Sequence, residues 1–287
     1  GKLEAVAIDH DNNGNAQEVQ YSVNGHEDAE TKSFSSLDSA VQTAINDKFG
    51  GNNWTADADV TVVQGTYGTL YLNNNTGQYF YQLDNGNEAT NALKQGEIKN
   101  ENFTIHAEGA YDAAHEGANG ADQQLIISVQ GTNDAPTLDG VLVGGQTVSP
   151  DENGNFTISG VQEDGVQQVS GSLVGDDVDS APTSLTYLIK VADGENSYRY
   201  LASASNDYGF LTLDESTGEY TFTLNNKAVQ YLPAGEFGQT SFTVVVKDEH
   251  GAISEEKELV FKIEGANDTA SINSVTLETN EDAKEAV

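Results

Sequence analysis

The sequence predicts an all-β protein made of two tandem β-sandwich domains, and three observations carry that prediction. Composition is the first: 29 Gly, 12 Tyr and 10 Phe in 287 residues, with 37% hydrophobic residues, describe a turn-rich chain that can still bury cores. Local pattern is the second, because apolar residues alternate around turns rich in Asn and Asp. The third is an internal repeat, and at roughly 150 residues per domain the length itself divides into two.

The repeat is plain in the residues. YGTLYLNNNTGQYFYQLDN at 67–85 aligns without a gap with YGFLTLDESTGEYTFTLNN at 208–226, an offset of 141 with nine identities in nineteen positions. Downstream, Ala92 to Glu97 faces Tyr231 to Glu236, and Phe103-Thr104-Ile105 faces Phe242-Thr243-Val244. Both units close alike, with GTNDAP at 131–136 and GANDTA at 265–270. Upstream, Asp9-x-Asp11 before Val19-Gln20-Tyr21 matches Asp177-x-Asp179 before Leu185-Thr186-Tyr187. A period near 140 is too long for a solenoid unit, so each copy is a self-contained domain. The expected division is 1–135, then 136–270, with 271–287 as the start of a following repeat.

Each element has its own reason. Leu70 and Leu72, then Tyr79, Tyr81 and Leu83, alternate on either side of an Asn-rich turn ended by Gly77, which is a hairpin signal. Leu211, Leu213, Tyr220, Phe222 and Leu224 repeat it around the turn from Asp214 to Gly218. Further strands are expected near 60–64, 102–107, 124–130, 169–174, 184–191, 197–203, 241–247 and 258–264. Seven or so short antiparallel strands per copy fit a β-sandwich, with the aromatics as its core. Residues 35–49 break the repeat: Leu37, Val41, Ala44, Ile45 and Phe49 recur at helical spacing behind a serine cap. This helix, inside an insertion at 30–60, is expected to plug an open end of the first sandwich. The alternative is that it frames a ligand site beside Trp54, the single tryptophan. Between the copies, Gln146-Thr147-Val148 and Phe156-Thr157-Ile158 flank a Pro-Asp-Glu-Asn-Gly-Asn turn and read as an extra hairpin at the junction. Glu281-Asp282 follows Asn267-Asp268 much as Glu163-Asp164 follows Asn133-Asp134, so the chain reads as a piece cut from a longer array.

Charge and missing residue types exclude much. A net charge of −34 repels nucleic acid and anionic headgroups, so neither is an expected partner. Cysteine is absent, which removes disulfides, thiolate nucleophiles and Cys-ligated metals. No apolar run approaches the roughly 20 residues of a membrane-spanning helix, so membrane insertion is not expected. The five histidines show no metal-ligand spacing, and there is no GxSxG elbow or Gly-rich phosphate loop. The expectation is a non-enzyme.

The surplus carboxylates point elsewhere. Calcium takes six to eight oxygen ligands, mostly carboxylates and carbonyls. Asp9-x-Asp11-x-Asn13 and Asp177-x-Asp179 place carboxylates two residues apart at one repeat position. Asn133-Asp134 stands at the exit of the first copy, and Asp248 ends a strand before a Gly-containing turn. Magnesium suits such loops less well, because it demands stricter octahedral geometry. Asp193, Asp207 and Asp214 read as turn residues.

The two endings, the YGxLxLxxxTGxYxYxL core and the LxxGE segment together resemble the VCBS and cadherin-like repeats of large bacterial surface adhesins of the RTX type. The resemblance covers most of 1–270 and implies Greek-key, cadherin- or Ig-like sandwiches with calcium within or between them. It implies that Asn133, Asp134, Asp177, Asp179 and Asp248 gather around one or more ions, with Glu163 and Asp164 contributing and Asn267 and Asp268 repeating the ending. It further implies an extracellular protein at the bacterial cell surface, exported by type I secretion, that spaces adhesive modules from the cell. The glycine-rich calcium nonapeptide of such proteins is absent, so this is not their export region. The reading that follows is a monomeric, calcium-rigidified extender acting in cell adhesion and biofilm formation, whose partners are neighbouring repeats of the same polypeptide. The alternative is an adhesion module in the first domain that binds a host or matrix glycan or peptide through Trp54, Tyr67 and Tyr71.

Overall fold

A computed structural model describes residues 1–3, 18–50, 54–109, 120–270, 272 and 274. The chain is all-β apart from short helices and forms two compact units, Gly1–Asp134 and Ala135–Val287.

In the first unit the order is β1 Val19–Asn24, β2 Glu30–Ser33, α1 Ser39–Phe49, β3 Asp59–Gln64, β4 Gly68–Asn73, β5 Tyr79–Leu83, α2 Glu88–Asn91, β6 Ile98–Gly109 and β7 Ala121–Gln130. These strands build two antiparallel sheets, β1-β6-β7 and β2-β3-β4-β5. Tyr21, Val23, Phe103, Ile105 and Leu125 of one sheet close on Val63, Leu70 and Leu72 of the other. The alternation seen in the sequence is what aims them inward.

The inserted helix does not plug an end of this sandwich. Val41 and Ile45 of α1 pack with Phe34, Leu37, Trp54, Ala58 and Val60, and with Val62, Tyr71 and Phe80. Those last residues alternate with Thr61, Val63, Leu70, Leu72, Tyr79 and Tyr81, so α1 covers the outer face of the four-stranded sheet. The helix starts later than expected, and its cap is Asp38 rather than a serine: Asp38 Oδ1 accepts from the Ala40 N–H at 2.8 Å.

The second unit runs β8 Thr137–Val143, β9 Gln146–Val148, β10 Phe156–Gln162, β11 Gln168–Asp176, β12 Thr186–Ala192, β13 Tyr198–Leu201, β14 Ser203–Asn206, β15 Gly209–Leu213, β16 Glu219–Leu224, β17 Phe237–Lys247 and β18 Lys257–Glu264. Its sheets are β10-β18-β17-β12-β13 and β14-β15-β16-β11-β8-β9. The chain changes sheets between β9 and β10, β10 and β11, β11 and β12, β13 and β14, and β16 and β17, a crossing connectivity like that of Greek-key β-sandwiches. Phe222 of one sheet stacks on Phe261 of the other at 4.2 Å, the centre of one continuous core. The expected junction hairpin is not formed. β9 folds back on β8, whereas β10 crosses to the other sheet and pairs with β18 in parallel; a single bridge, Pro150 to Phe156, marks the crossing.

The shared closing motif has a mechanical reason. Gly131 and Glu97 pair through the Gly131 N–H at 2.8 Å, and Gly265 repeats this with Glu236 at 2.9 Å. A Cβ on either glycine would lie 2.4 Å from a carbonyl oxygen of the LxxGE segment. Only glycine allows that approach.

Candidate metal centre

The candidate ligands fall into separate places. Asp177 follows β11 directly and makes an Asx turn, its Oδ1 accepting from the N–H groups of Asp179 at 3.1 Å and Ser180 at 3.2 Å. Both carboxylates are buried, with relative exposures of 9% for Asp177 and 5% for Asp179. Asp177 Oδ2 is buried with no hydrogen-bond partner. Burial first, and the neighbouring Asp179 carboxyl second, push the Asp177 carboxyl above its ordinary range.

Asp248 is also buried and follows β17, whose last residue Lys247 pairs with Thr186 at the start of β12. Because the 177–185 loop leads into β12, Asp248 shares the end of the sandwich that carries Asp177 and Asp179. Its Oδ1 accepts from the N–H groups of His250 at 2.9 Å and Ala252 at 2.8 Å, which shapes the β17–β18 loop.

Glu163 and Asp164 sit at the other end. They precede β11, and its nine residues span about 30 Å. They cannot share an ion with Asp177. Glu163 is 1% exposed; its Oε2 accepts from the Ala266 N–H at 3.0 Å and its Oε1 is buried with no partner. Asn267 and Asp268 follow Ala266, with Asn267 Nδ2 donating to the Asp268 carbonyl at 3.1 Å. Asn133 and Asp134 end the first unit in the same local turn, at 2.6 Å. Asp9, Asp11 and Asn13 lie outside the described residues.

Hard oxygen donors with buried, unpartnered atoms suit a hard cation, since a buried carboxylate oxygen without a partner is costly. In donor chemistry Asp177 and Glu163 therefore fit calcium. Among the described residues, however, no three His, Cys, Asp or Glu side chains are grouped to hold an ion.

Of the aromatics in the alternative reading, Trp54 is covered, while Tyr67 and Tyr71 are half-buried. Trp54 is 2% exposed, between Phe34 at 5.6 Å and Phe49 at 5.9 Å, so a sugar has no face of it to stack on. Sequence reasoning missed Glu101, a buried carboxylate of β6 whose Oε2 accepts from the Tyr81 hydroxyl at 2.5 Å. Asp214 is a turn residue, its Oδ1 accepting from the N–H groups of Ser216 and Thr217, each at 2.9 Å.

No protein-family model matches the chain. No curated protein matches it. Among solved structures it is similar to mouse clustered PcdhgC3 EC1-3, at 12% identity and a TM-score of 0.34, covering 88% of this chain and 56% of that one. It is similar to the extracellular cadherin domains 1–5 of Protocadherin Gamma B2, at 14% identity and a TM-score of 0.32, covering 88% of this chain and 33% of that one. A third is chicken VE-cadherin EC1-2, at 14% identity and a TM-score of 0.27, covering 93% of this chain and 90% of that one. The chain thus spans about half and one third of the first two. Its assignment as tandem β-sandwiches stands on the sheets and cores described above.

Proposed function

We propose that this chain is a non-enzymatic, extracellular adhesion-related module: a calcium-binding extender from a large bacterial surface adhesin, whose repeats project adhesive domains from the cell. The observation that carries the reading is the buried Asp177–Asp179 pair, in which Oδ2 of Asp177 is buried without a hydrogen-bond partner. Solubility alone would leave such carboxylates in water, and a turn needs only one of them. Asp177 and Asp179 would hold the ion, and calcium would supply the positive charge that offsets their repulsion. A tandem of like sandwiches is the architecture an extender needs.

Calorimetric titration with calcium, paired with melting curves in calcium and in chelator, tests this. An ion that binds only the folded state adds about 2.7 kcal/mol at 100 times its Kd, so millimolar calcium should raise the melting temperature clearly. Asp179→Ala should weaken binding far more than Asp214→Ala, because Asp214 serves its own hairpin turn. An unchanged melting curve in chelator, with no residual metal found, sinks the reading.

A further inference from the structure

Three Asn-Gly pairs lie among the described residues: Asn24-Gly25, Asn85-Gly86 and Asn153-Gly154. In each the asparagine is exposed. An Asn-Gly pair can react with itself, because the glycine nitrogen is placed to close an imide ring on the asparagine carboxamide and no Cβ on the glycine hinders the approach. That nitrogen must first lose its proton and swing onto Cγ. A hydrogen bond donated by the same N–H opposes both.

The three glycines differ in this bond. The Gly86 N–H donates to Asp84 Oδ1 at 2.9 Å, and a bond to a carboxylate is the kind that holds a proton hardest. The Gly154 N–H donates to the Asp151 carbonyl at 2.9 Å, in a turn where Asp151 Oδ1 also fixes the N–H groups of Asn153 at 2.8 Å and Asn155 at 2.9 Å. The Gly25 N–H has no hydrogen-bond partner among the described residues. Gly25 is exposed at φ 80°, and nothing stands within 4 Å of where its Cβ would be, so the chain has room to turn there. The Asn24 carboxamide donates from Nδ2 to Asp122 Oδ1 at 3.2 Å, at the long end of the normal range and open to water.

We propose that Asn24-Gly25 is a site of spontaneous modification, where Asn24 converts to aspartate and isoaspartate through a succinimide. The Gly25 nitrogen gives its proton to a solvent base and attacks Asn24 Cγ. The N–Cγ bond forms, the Cγ–Nδ2 bond breaks, and Nδ2 leaves as ammonia with a proton from water. Water then adds to either carbonyl of the imide. Opening on one side yields aspartate; opening on the other leaves the main chain running through the former side-chain carbonyl, as isoaspartate.

The position gives the change a consequence. Asn24 ends β1, and residues 25–29 carry the chain from the β1-β6-β7 sheet to the β2-β3-β4-β5 sheet. Isoaspartate adds a methylene to the main chain at that crossing. Either product puts a carboxylate where a donor faced Asp122. Asp122 Oδ1 already lies 2.7 Å from His106 Nδ1, and Glu108 Oε2 lies 3.6 Å from His106 Nε2, so the new charge joins two carboxylates around one histidine and is repelled. The first unit therefore loses stability as the chain ages.

Ageing the full chain in mildly alkaline buffer, with digestion and tandem mass spectrometry at intervals, tests this. Position 24 should convert several-fold faster than 85 and 153, with isoaspartate among its products. Isoaspartate marks the imide route, since direct hydrolysis of the amide gives aspartate alone. In denaturant, where no glycine N–H is held, the three rates should draw together. Asp84→Ala frees the Gly86 N–H in an exposed turn and should speed the conversion of Asn85. Asn24→Asp should lower the melting temperature of the first unit, followed by Trp54 emission, and added salt should restore part of it. Conversion at 24 no faster than at 85 and 153, or without isoaspartate, overturns the site. Asn85 unchanged in Asp84→Ala overturns its hydrogen-bond basis, and a melting temperature unmoved in Asn24→Asp overturns the consequence.

Discussion

Glu101 shows how one turn is held in two chemically different ways. Its Oε1 reaches under the β3–β4 turn and accepts from the N–H groups of Thr66 and Tyr67, the latter at 3.3 Å, while Tyr81 donates to Oε2. A Cβ on Gly65 would stand 2.3 Å from that carboxylate. In the second unit the register places Asn206 at Gly65, Thr240 at Glu101 and Phe222 at Tyr81. Asn206 Oδ1 accepts from the N–H groups of Tyr208 at 3.1 Å and Gly209 at 3.2 Å, and Nδ2 donates to Thr240 Oγ1 at 2.7 Å. The acceptor has moved from one strand to the other, and the tyrosine hydroxyl went with the carboxylate. Burial, then the bond to Glu101, raises the Tyr81 hydroxyl pKa far above the usual tyrosine range. Glu101→Ala should destabilise the first unit by about 1–3 kcal/mol for each donor left buried and unpaired, read by chemical denaturation. The corresponding Thr240→Ala should cost less, because Asn206 keeps both turn N–H groups. The Glu101 arrangement was not legible from local pattern, since its partners lie 20 to 35 residues away; the one signal was Gly aligned against Asn. Asp214 gives a pH test. Hydrogen bonds from the Ser216 hydroxyl and then the Thr217 and Ser216 N–H groups lower its pKa to about 2. Its contribution is therefore present above about pH 4, the unfolded value, and lost as pH falls toward 2. Asp214→Asn keeps the acceptor, so its stability should fall less steeply over that window.

At the scale of elements, strands and hairpins were legible because alternation and turn chemistry are local, whereas partners were not. Nothing local tells β10 to join β18 in parallel rather than fold back on β9; that choice belongs to Phe156, Ile158 and Val161, which enter a core made by distant strands. The place of α1 had a signal that went unread. Val60, Val62 and Val63 make β3 apolar on both faces, and Tyr71 and Phe80 extend its outer face. A sheet with two apolar faces needs a cover. Ile45 of α1 is fully buried, so Ile45→Ala should cost about 2–5 kcal/mol. Trp54 emission should shift to the red as the helix loosens, while the Phe103 core of the sandwich keeps its slowly exchanging amides. Emission unchanged in that variant would mean that the helix is held by something other than this apolar patch.

Over the whole molecule, the repeat was the most legible feature, because identities at turns and glycines survive where core residues interchange. The placement of the candidate ligands was legible only in part. Acidic pairs announce themselves in a sequence, but a nine-residue strand separating Glu163 from Asp177 does not. The two units bury separate cores, and the single tryptophan belongs to the first. Tryptophan emission, excited apart from tyrosine, and circular dichroism should therefore report non-coincident unfolding transitions, because only the first unit carries the tryptophan. A coincident pair would mean that the units unfold as one. The parallel β10–β18 pair bears on how the second unit takes a load. Tension applied to the two ends of the unit pulls on Thr137 at the head of β8 and Glu264 at the foot of β18 and, once β8 is drawn off β11, on Phe156 at the head of β10. Those ends face opposite ways along neighbouring strands, so the backbone bonds between them are sheared together instead of unzipping one by one. A strand that looked like half of a hairpin is thus a mechanical clamp, and the unit resists being drawn out by its two ends.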